Sequence, residues 1–203
     1  MSQILLVTTS PRGSASYSNQ VAEALAAKLR AEHPGATLVT RNLAATPLPH
    51  VGEAFVTGRV LPSAERSPAQ AEALVASDAA IAELTGSDVI VIASPMYNFG
   101  VPSTLKAWID HLVRPGVTFS YSANGPEGLV KGKKVYLIEA RGGVYSDGPA
   151  KGMNFQEPYL KAVLGFIGIG DVEVIAVEGI GYGPDAAEKA LSGALGKVAA
   201  LAA

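Results

Sequence analysis

The sequence predicts an α/β domain built on a doubly wound, five-stranded parallel sheet with strand order 2-1-3-4-5. Short apolar runs alternate with segments whose apolar residues recur at helical spacing, and one central run, Val89 to Ala93, is apolar at every position. Loops rich in Ser, Gly and aromatic residues follow the first, third and fourth runs. Such strand–helix alternation gives right-handed crossovers, which place helices on both faces of a parallel sheet.

Residues 3–8 (Gln-Ile-Leu-Leu-Val-Thr) form the first strand, followed by the turn Thr9 to Ser14 and a helix with Val21, Leu25 and Leu29 on one face. Thr37 to Arg41 is the second strand. A long stretch with Pro47, Pro49 and Pro62 follows, and then a helix from about Pro68 to Leu84 carries Leu74, Ile81 and Leu84. The stretch 42–66 exceeds an ordinary connection, so it reads as a functional flap or an interface segment. Val89 to Ala93 is the third strand, since an uninterrupted apolar run fits a strand covered on both faces. Next come a helix with Leu105, Ile109 and Leu112, and the segment 116–130, where Asn124-Gly125-Pro126 predicts a hairpin-like excursion. Val135 to Glu139 is the fourth strand. A Gly-rich loop (Gly142, Gly143, Gly148) leads to a helix with Leu160, Val163, Leu164 and Ile167; Val172 to Val177 is the fifth strand, and an Ala-rich helix occupies about 185–201.

A length of 203 residues fits one domain, read here as 1–203. Hydrophobic residues at 48% against 17% charged supply material for a buried sheet. The net charge of −2, with Lys and Arg scattered, argues against a nucleic-acid or anionic-membrane partner and leaves a small-molecule ligand as the expectation. The absence of cysteine excludes disulfides, thiolate catalysis and thiolate metal sites, and His33, His50 and His111 show no metal-binding spacing. The run Ile4 to Val7 is too short for a signal segment or a membrane span, so a cytoplasmic protein is expected.

In the order 2-1-3-4-5 the chain reverses direction between strands one and three, and ligands bind at the carboxyl ends of the strands around that point. The loops 9–18, 94–101 and 140–146 are expected to converge there. The first stacks the hydroxyls of Ser10, Ser16 and Ser18 ahead of a helix N-terminus, where free amides and the helix dipole favour a phosphate. Without a Walker lysine or Gly-x-Gly-x-x-Gly it reads as a monophosphate nest, the alternative being a plain Ser helix cap. The second loop, from Ser94 to Pro102, carries Met96, Tyr97, Asn98 and Phe99 into the cleft, as a planar amphipathic ring such as a flavin requires; capping of the core is the alternative. The third, Ala140-Arg141-Gly142-Gly143-Val144-Tyr145, permits close backbone approach to the ring edge, where amides stabilise a reduced flavin, or is an ordinary Gly-rich turn.

The stretch Pro95-Met96-Tyr97-Asn98-Phe99, continuing through Leu105-Lys106 and Asp110 to Arg114-x-Gly116-x-Thr118-Phe119, resembles the FMN-dependent NADH-azoreductases among the flavodoxin-like quinone reductases. Asn124-Gly125-Pro126-x-Gly128-Leu129, Gly165-Phe166-Ile167-Gly168 and Glu178-Gly179 extend the similarity over nearly the whole chain. The resemblance implies a single FMN-binding domain in which Ser10, Ser16, Tyr17 and Ser18 hold the phosphate of noncovalent FMN. It implies further that Pro95, Met96, Tyr97, Asn98 and Phe99 hold the ring, with Ala140, Arg141, Gly142 and Gly143 completing its edge. It also implies a homodimer whose active sites are completed by the partner chain, and NADH or NADPH as donor. The implied reaction is two-electron, ping-pong hydride transfer to quinones and azo compounds. Ala140 departs from the family's Ser-Arg-Gly-Gly, which removes any side-chain hydrogen bond from that position. Phe119, Tyr121 and Tyr145 are candidate walls of the acceptor pocket, with packing as the alternative. No side chain is assigned as catalytic, since the cofactor carries the chemistry. A non-enzymatic flavodoxin-type electron carrier is the alternative, weakened by the small net charge; a hydrolase lacks paired carboxylates or a triad.

Overall fold

The computed structural model describes residues 1–201. In chain order its elements are β1 (Gln3–Thr8), α1 (Tyr17–Glu32), β2 (Thr37–Asn42), α2 (Glu53–Gly58), α3 (Pro68–Gly86), β3 (Val89–Pro95) and α4 (Ser103–Leu112). The hairpin strands β4 (Phe119–Ser122) and β5 (Gly125–Gly128) follow, then β6 (Lys134–Arg141), α5 (Gln156–Ile167), β7 (Asp171–Glu178) and α6 (Pro184–Ala200). The main sheet runs β2-β1-β3-β6-β7 with every pairing parallel. Because β6 and β7 are its fourth and fifth strands, this is the expected 2-1-3-4-5 order.

Successive residues of a strand face opposite sides of the sheet, and both sides are covered here, so the central strands are apolar throughout. Leu5, Val7, Ile90, Ile92 and Leu137 pack under α3, α4 and α5 with Trp108 and Leu160, whereas Ile4, Leu6, Val91, Ile138 and Val177 pack under α1 and α6 with Leu25 and Val198. Local chemistry sets the helix ends. Ser67 and Gln70 close a reciprocal capping box at the start of α3, with Pro68 in its first turn, and Gly168 ends α5 in the left-handed conformation at φ 107°.

The segment 42–66 is a pinned cover rather than the flap its length suggested. It contains α2, and Leu43, Leu48 and Phe55 are buried. His111 Nε2 lies 2.9 Å from the Pro49 carbonyl oxygen, its ring meets Phe55 edge-on at 4.7 Å, and Arg66 Nε donates to the carbonyls of Gly58 and Leu61. These contacts give His111 a packing role. Apolar residues spaced without a regular period hid the segment from pattern reading.

The hairpin expected within 116–130 forms, and β5 docks on the last turn of α5. The amide of Val130 donates to the Ile167 carbonyl at 2.8 Å, and Gly128 lies directly against the Ile167–Gly168 backbone.

Candidate active site

The carboxyl ends of β1, β3 and β6 are adjacent in the sheet, with Thr8 opposite Ala93 and Pro95 opposite Ala140, so the three loops leave from one edge. They are also bonded to one another: Thr9 Oγ1 donates to the Ala93 carbonyl at 2.8 Å, and the Met96 amide donates to the Ala140 carbonyl at 2.8 Å.

In the first loop, Ser10, Ser16 and Ser18 are all buried. Ser16 is the N-cap of α1, but its bond from the Asn19 amide is long at 3.5 Å, and its hydroxyl lies 3.1 Å from that of Ser18. The first-turn amides of Tyr17 and Ser18 have no carbonyl to meet inside the helix. Asn19, buried beside them, donates to the Gly13 carbonyl while its Oδ1 has no partner. Two hydroxyls and two free amides at a helix start suit an anion with several acceptor oxygens.

The second loop is a two-residue hairpin closed by reciprocal 3.0 Å bonds between Tyr97 and Gly100. Asn98 (φ 48°) and Phe99 (φ 68°) both lie in the left-handed region. Asn tolerates that conformation; an aromatic residue there costs about 1–3 kcal/mol and persists only where the surroundings enforce it. The Phe155 amide does so by donating to the Phe99 carbonyl at 3.1 Å. The result leaves Phe99 39% exposed, with Tyr145 edge-on to it at 6.2 Å. Beside this turn lies an open cleft of about 830 Å³, lined by Tyr97, Val101, Lys106, Phe155, Pro158 and Tyr159 among others.

In the third loop the carbonyls of Gly142 and Gly143 accept from the amides of Gly181 and Gly179, leaving their own N–H groups without a partner among the described residues. Ala140 is buried in the core on the α1 side. The Arg141 guanidinium is fully buried and bonded to Glu139, Glu157, Glu178 and Gln156, so its side chain faces the interior. Only its backbone is available to a ligand. Burial pushes the Glu139 carboxyl up to about 7 even though Arg141 pulls it down. Partial burial acts the same way on Glu178, yet hydrogen bonds from Ser146, Arg141 and the Tyr145 amide hold it below the usual carboxylate range.

Because the folded Glu139 titrates above its unfolded value, its stabilising protonated form is complete below about pH 4.5 and is lost as pH rises through about 7. Glu139→Gln removes that loss. Urea unfolding across pH 5–8 is expected to show the variant gaining on the parent, by at most about 1.4 kcal/mol per pH unit. A difference that stays flat over this range rules out a titrating Glu139.

The structure brings Tyr145 to Phe99 but separates Phe119 and Tyr121 from both. Phe119 is buried against Phe166 (4.6 Å) and Tyr121 (5.4 Å) in the hairpin at the C-terminal end of α5, while Phe99 is bonded at its N-terminal end. A helix of 12 residues spans about 18 Å, so neither hairpin residue walls the cleft of its own chain. Thr9, Asn19, Phe155, Glu139 and Gln156 escaped sequence reasoning. The signal for Glu139 was present as a charge at an inner position of an apolar strand.

Among the described residues no cluster has metal-binding geometry, and no helix is long and apolar enough to cross a membrane. The family profile described as the flavodoxin-like fold matches residues 2–202. An FMN-dependent NADH:quinone oxidoreductase of Mesorhizobium japonicum is 50% identical over 200 residues, covering 98% of this chain and 95% of its own. A protein of the same name from Rhizobium etli is 50% identical over 202 residues, covering 100% and 98%. Among solved structures, an azoreductase from Bacillus anthracis superposes with a TM-score of 0.91 at 32% identity, covering 98% of this chain and 97% of that one. With a fold matched from end to end and half its residues shared, this chain belongs to the flavodoxin-like family of FMN-dependent NADH:quinone oxidoreductases.

Proposed function

We propose that residues 1–203 form one FMN-binding domain of a cytoplasmic enzyme that reduces quinones and azo compounds by two electrons, with NADH or NADPH as donor. The observation that carries this reading is the meeting, at one sheet edge, of a hydroxyl-rich helix start and a left-handed aromatic turn. Relatives named as FMN-dependent NADH:quinone oxidoreductases and azoreductases support it.

The residues fit FMN. Ser10, Ser16, Ser18 and the amides of Tyr17 and Ser18 offer donors for a phosphate dianion. Pro95, Met96, Tyr97, Asn98 and Phe99 would hold the ring by apolar and aromatic contact. The amides of Gly142 and Gly143, unpartnered among the described residues, would be available as donors to a ring edge that a reduced flavin makes negative. Tyr145, edge-on to Phe99 at 6.2 Å, would help bound the acceptor space. Bound FMN supplies the two-electron chemistry between the nicotinamide and the acceptor. The chain binds and orients both partners in turn, so no side chain needs to donate a proton or attack.

Protein denatured by heat is expected to release FMN detectable by chromatography, and initial-rate lines for donor against acceptor should be parallel. Apoprotein that fails to bind added FMN would end the proposal; intersecting lines would end its ping-pong order.

We further propose a homodimer. Tyr121 is 74% exposed and Phe155 63%, with Phe166 and Leu129 also exposed, and these apolar side chains lie on surfaces that their own chain leaves uncovered. Tyr121 can reach an acceptor cleft only in a second copy. Light scattering at micromolar concentration should report about twice the 20.8 kDa chain mass; a monomer refutes this.

A further inference from the structure

Arg141 ends β6 immediately before the loop whose amides face the ring, yet its side chain is fully buried. Its guanidinium reaches α5, β7 and its own strand β6. Nε donates to Gln156 Oε1 at 3.2 Å, and Gln156 Nε2 in turn donates to the Ser94 hydroxyl and carbonyl, both at 2.9 Å, at the end of β3. One terminal nitrogen donates to Glu178 Oε1 at 2.9 Å, at the end of β7. The other meets Glu139 in β6 and Glu157 in α5.

Glu178 carries the connection outward. It accepts from the amides of Tyr145 (2.8 Å) and Ser146 (2.9 Å) and from the Ser146 hydroxyl. On the other side, the residue before Gln156, Phe155, holds Phe99 in its left-handed turn. One guanidinium therefore joins the foundations of the second and third loops.

We propose that Arg141 is a positioning residue: its guanidinium locks the ends of β3, β6, β7 and the start of α5 together and so fixes the spacing between the 96–99 turn and the 142–146 loop across the flavin ring. This rests on the FMN reading above. Three carboxylates around one guanidinium also make an isolated removal of the charge costly, so the geometry rather than the charge must be varied. A lysine keeps the charge but offers a single point where Arg provides a planar fork, and it cannot serve Gln156, Glu178 and Glu139 together.

The test measures affinity for FMN and for riboflavin, which keeps the ring and lacks the phosphate, together with the visible spectrum of the bound flavin. Arg141→Lys is expected to weaken both ligands by a common factor of about ten or more and to shift the spectrum, since the ring rather than the phosphate loses its placement. Glu178→Gln keeps side-chain size and is expected to act in the same direction; it carries the test alone if Arg141→Lys does not fold. The double variant should be no weaker than the poorer single one, because both break one lock. Folded variants that bind both flavins as the parent does, with an unchanged spectrum, would reduce Arg141 to a purely structural ion pair and overturn the proposal. Loss confined to FMN, or fully additive effects, overturns it as well. A parent protein that binds neither flavin overturns the FMN reading itself, a result separate from any difference among variants.

Discussion

Replacing Ser16 or Ser18 with Ala is expected to weaken FMN by about 10- to 150-fold while leaving riboflavin binding almost unchanged. A hydrogen bond to a charged group contributes roughly 1.5–3 kcal/mol, which sets that range. The two hydroxyls are buried 3.1 Å apart beside the free amides of the first turn of α1, and among the described residues neither has an acceptor for its proton except the other. Ser16→Ala also removes a helix cap, at about 0.5–2 kcal/mol of stability, but that loss falls equally on both ligands. Asn98 provides the contrast. Because Asn98 sits at φ 48°, Asn98→Ala would mix backbone strain with loss of the amide, whereas Asn98→Gly keeps the turn and removes only the side chain. Asn98→Gly should weaken FMN and riboflavin together. Titration calorimetry with both flavins decides; serine variants that bind FMN as the parent does would make the loop a helix cap and nothing more.

Gly128→Ala is expected to lower stability by about 3 kcal/mol or more, a fall in Tm of roughly 6–12 °C for a chain of this size. An added Cβ would lie 2.1 Å from the Gly168 nitrogen and 2.3 Å from the Ile167 carbonyl carbon. Both are backbone atoms at the end of α5, so no rotamer change relieves the clash. Gly165→Ala, one turn earlier in the same helix, meets nothing within 4 Å and should leave Tm level or raise it, since Ala outscores Gly in a helix by about 1 kcal/mol. Scanning calorimetry on the pair separates close approach from general sensitivity of the helix. A Gly128→Ala protein melting with the parent would show that the hairpin is not seated on α5. The hairpin carries Tyr121, so its displacement should also loosen the proposed dimer, visible as a lower scattering mass at the same concentration.

The sequence by itself determined the sheet and its order. An uninterrupted apolar run as short as Val89 to Ala93, bounded by turn residues, fits a strand covered on both faces, and its alternation with helical patterns leaves one handedness of crossover. The observed limits of β1 and β3 begin where the pattern placed them, and the three loops fall at one edge because parallel strands share a direction. Tertiary structure decided what each side chain does there. In sequence Arg141 stands only as part of a Gly-rich loop whose backbone could approach a ligand; carboxylates from β6, β7 and α5, brought together by the fold, draw its side chain into the interior. Phe119 and Tyr121 read like walls of the same pocket as Tyr145 until α5 sets them at its opposite ends. Local pattern fixes elements because backbone hydrogen bonding and burial act over a few residues; the direction and partner of a long side chain depend on elements brought near only when the sheet and its helices close together.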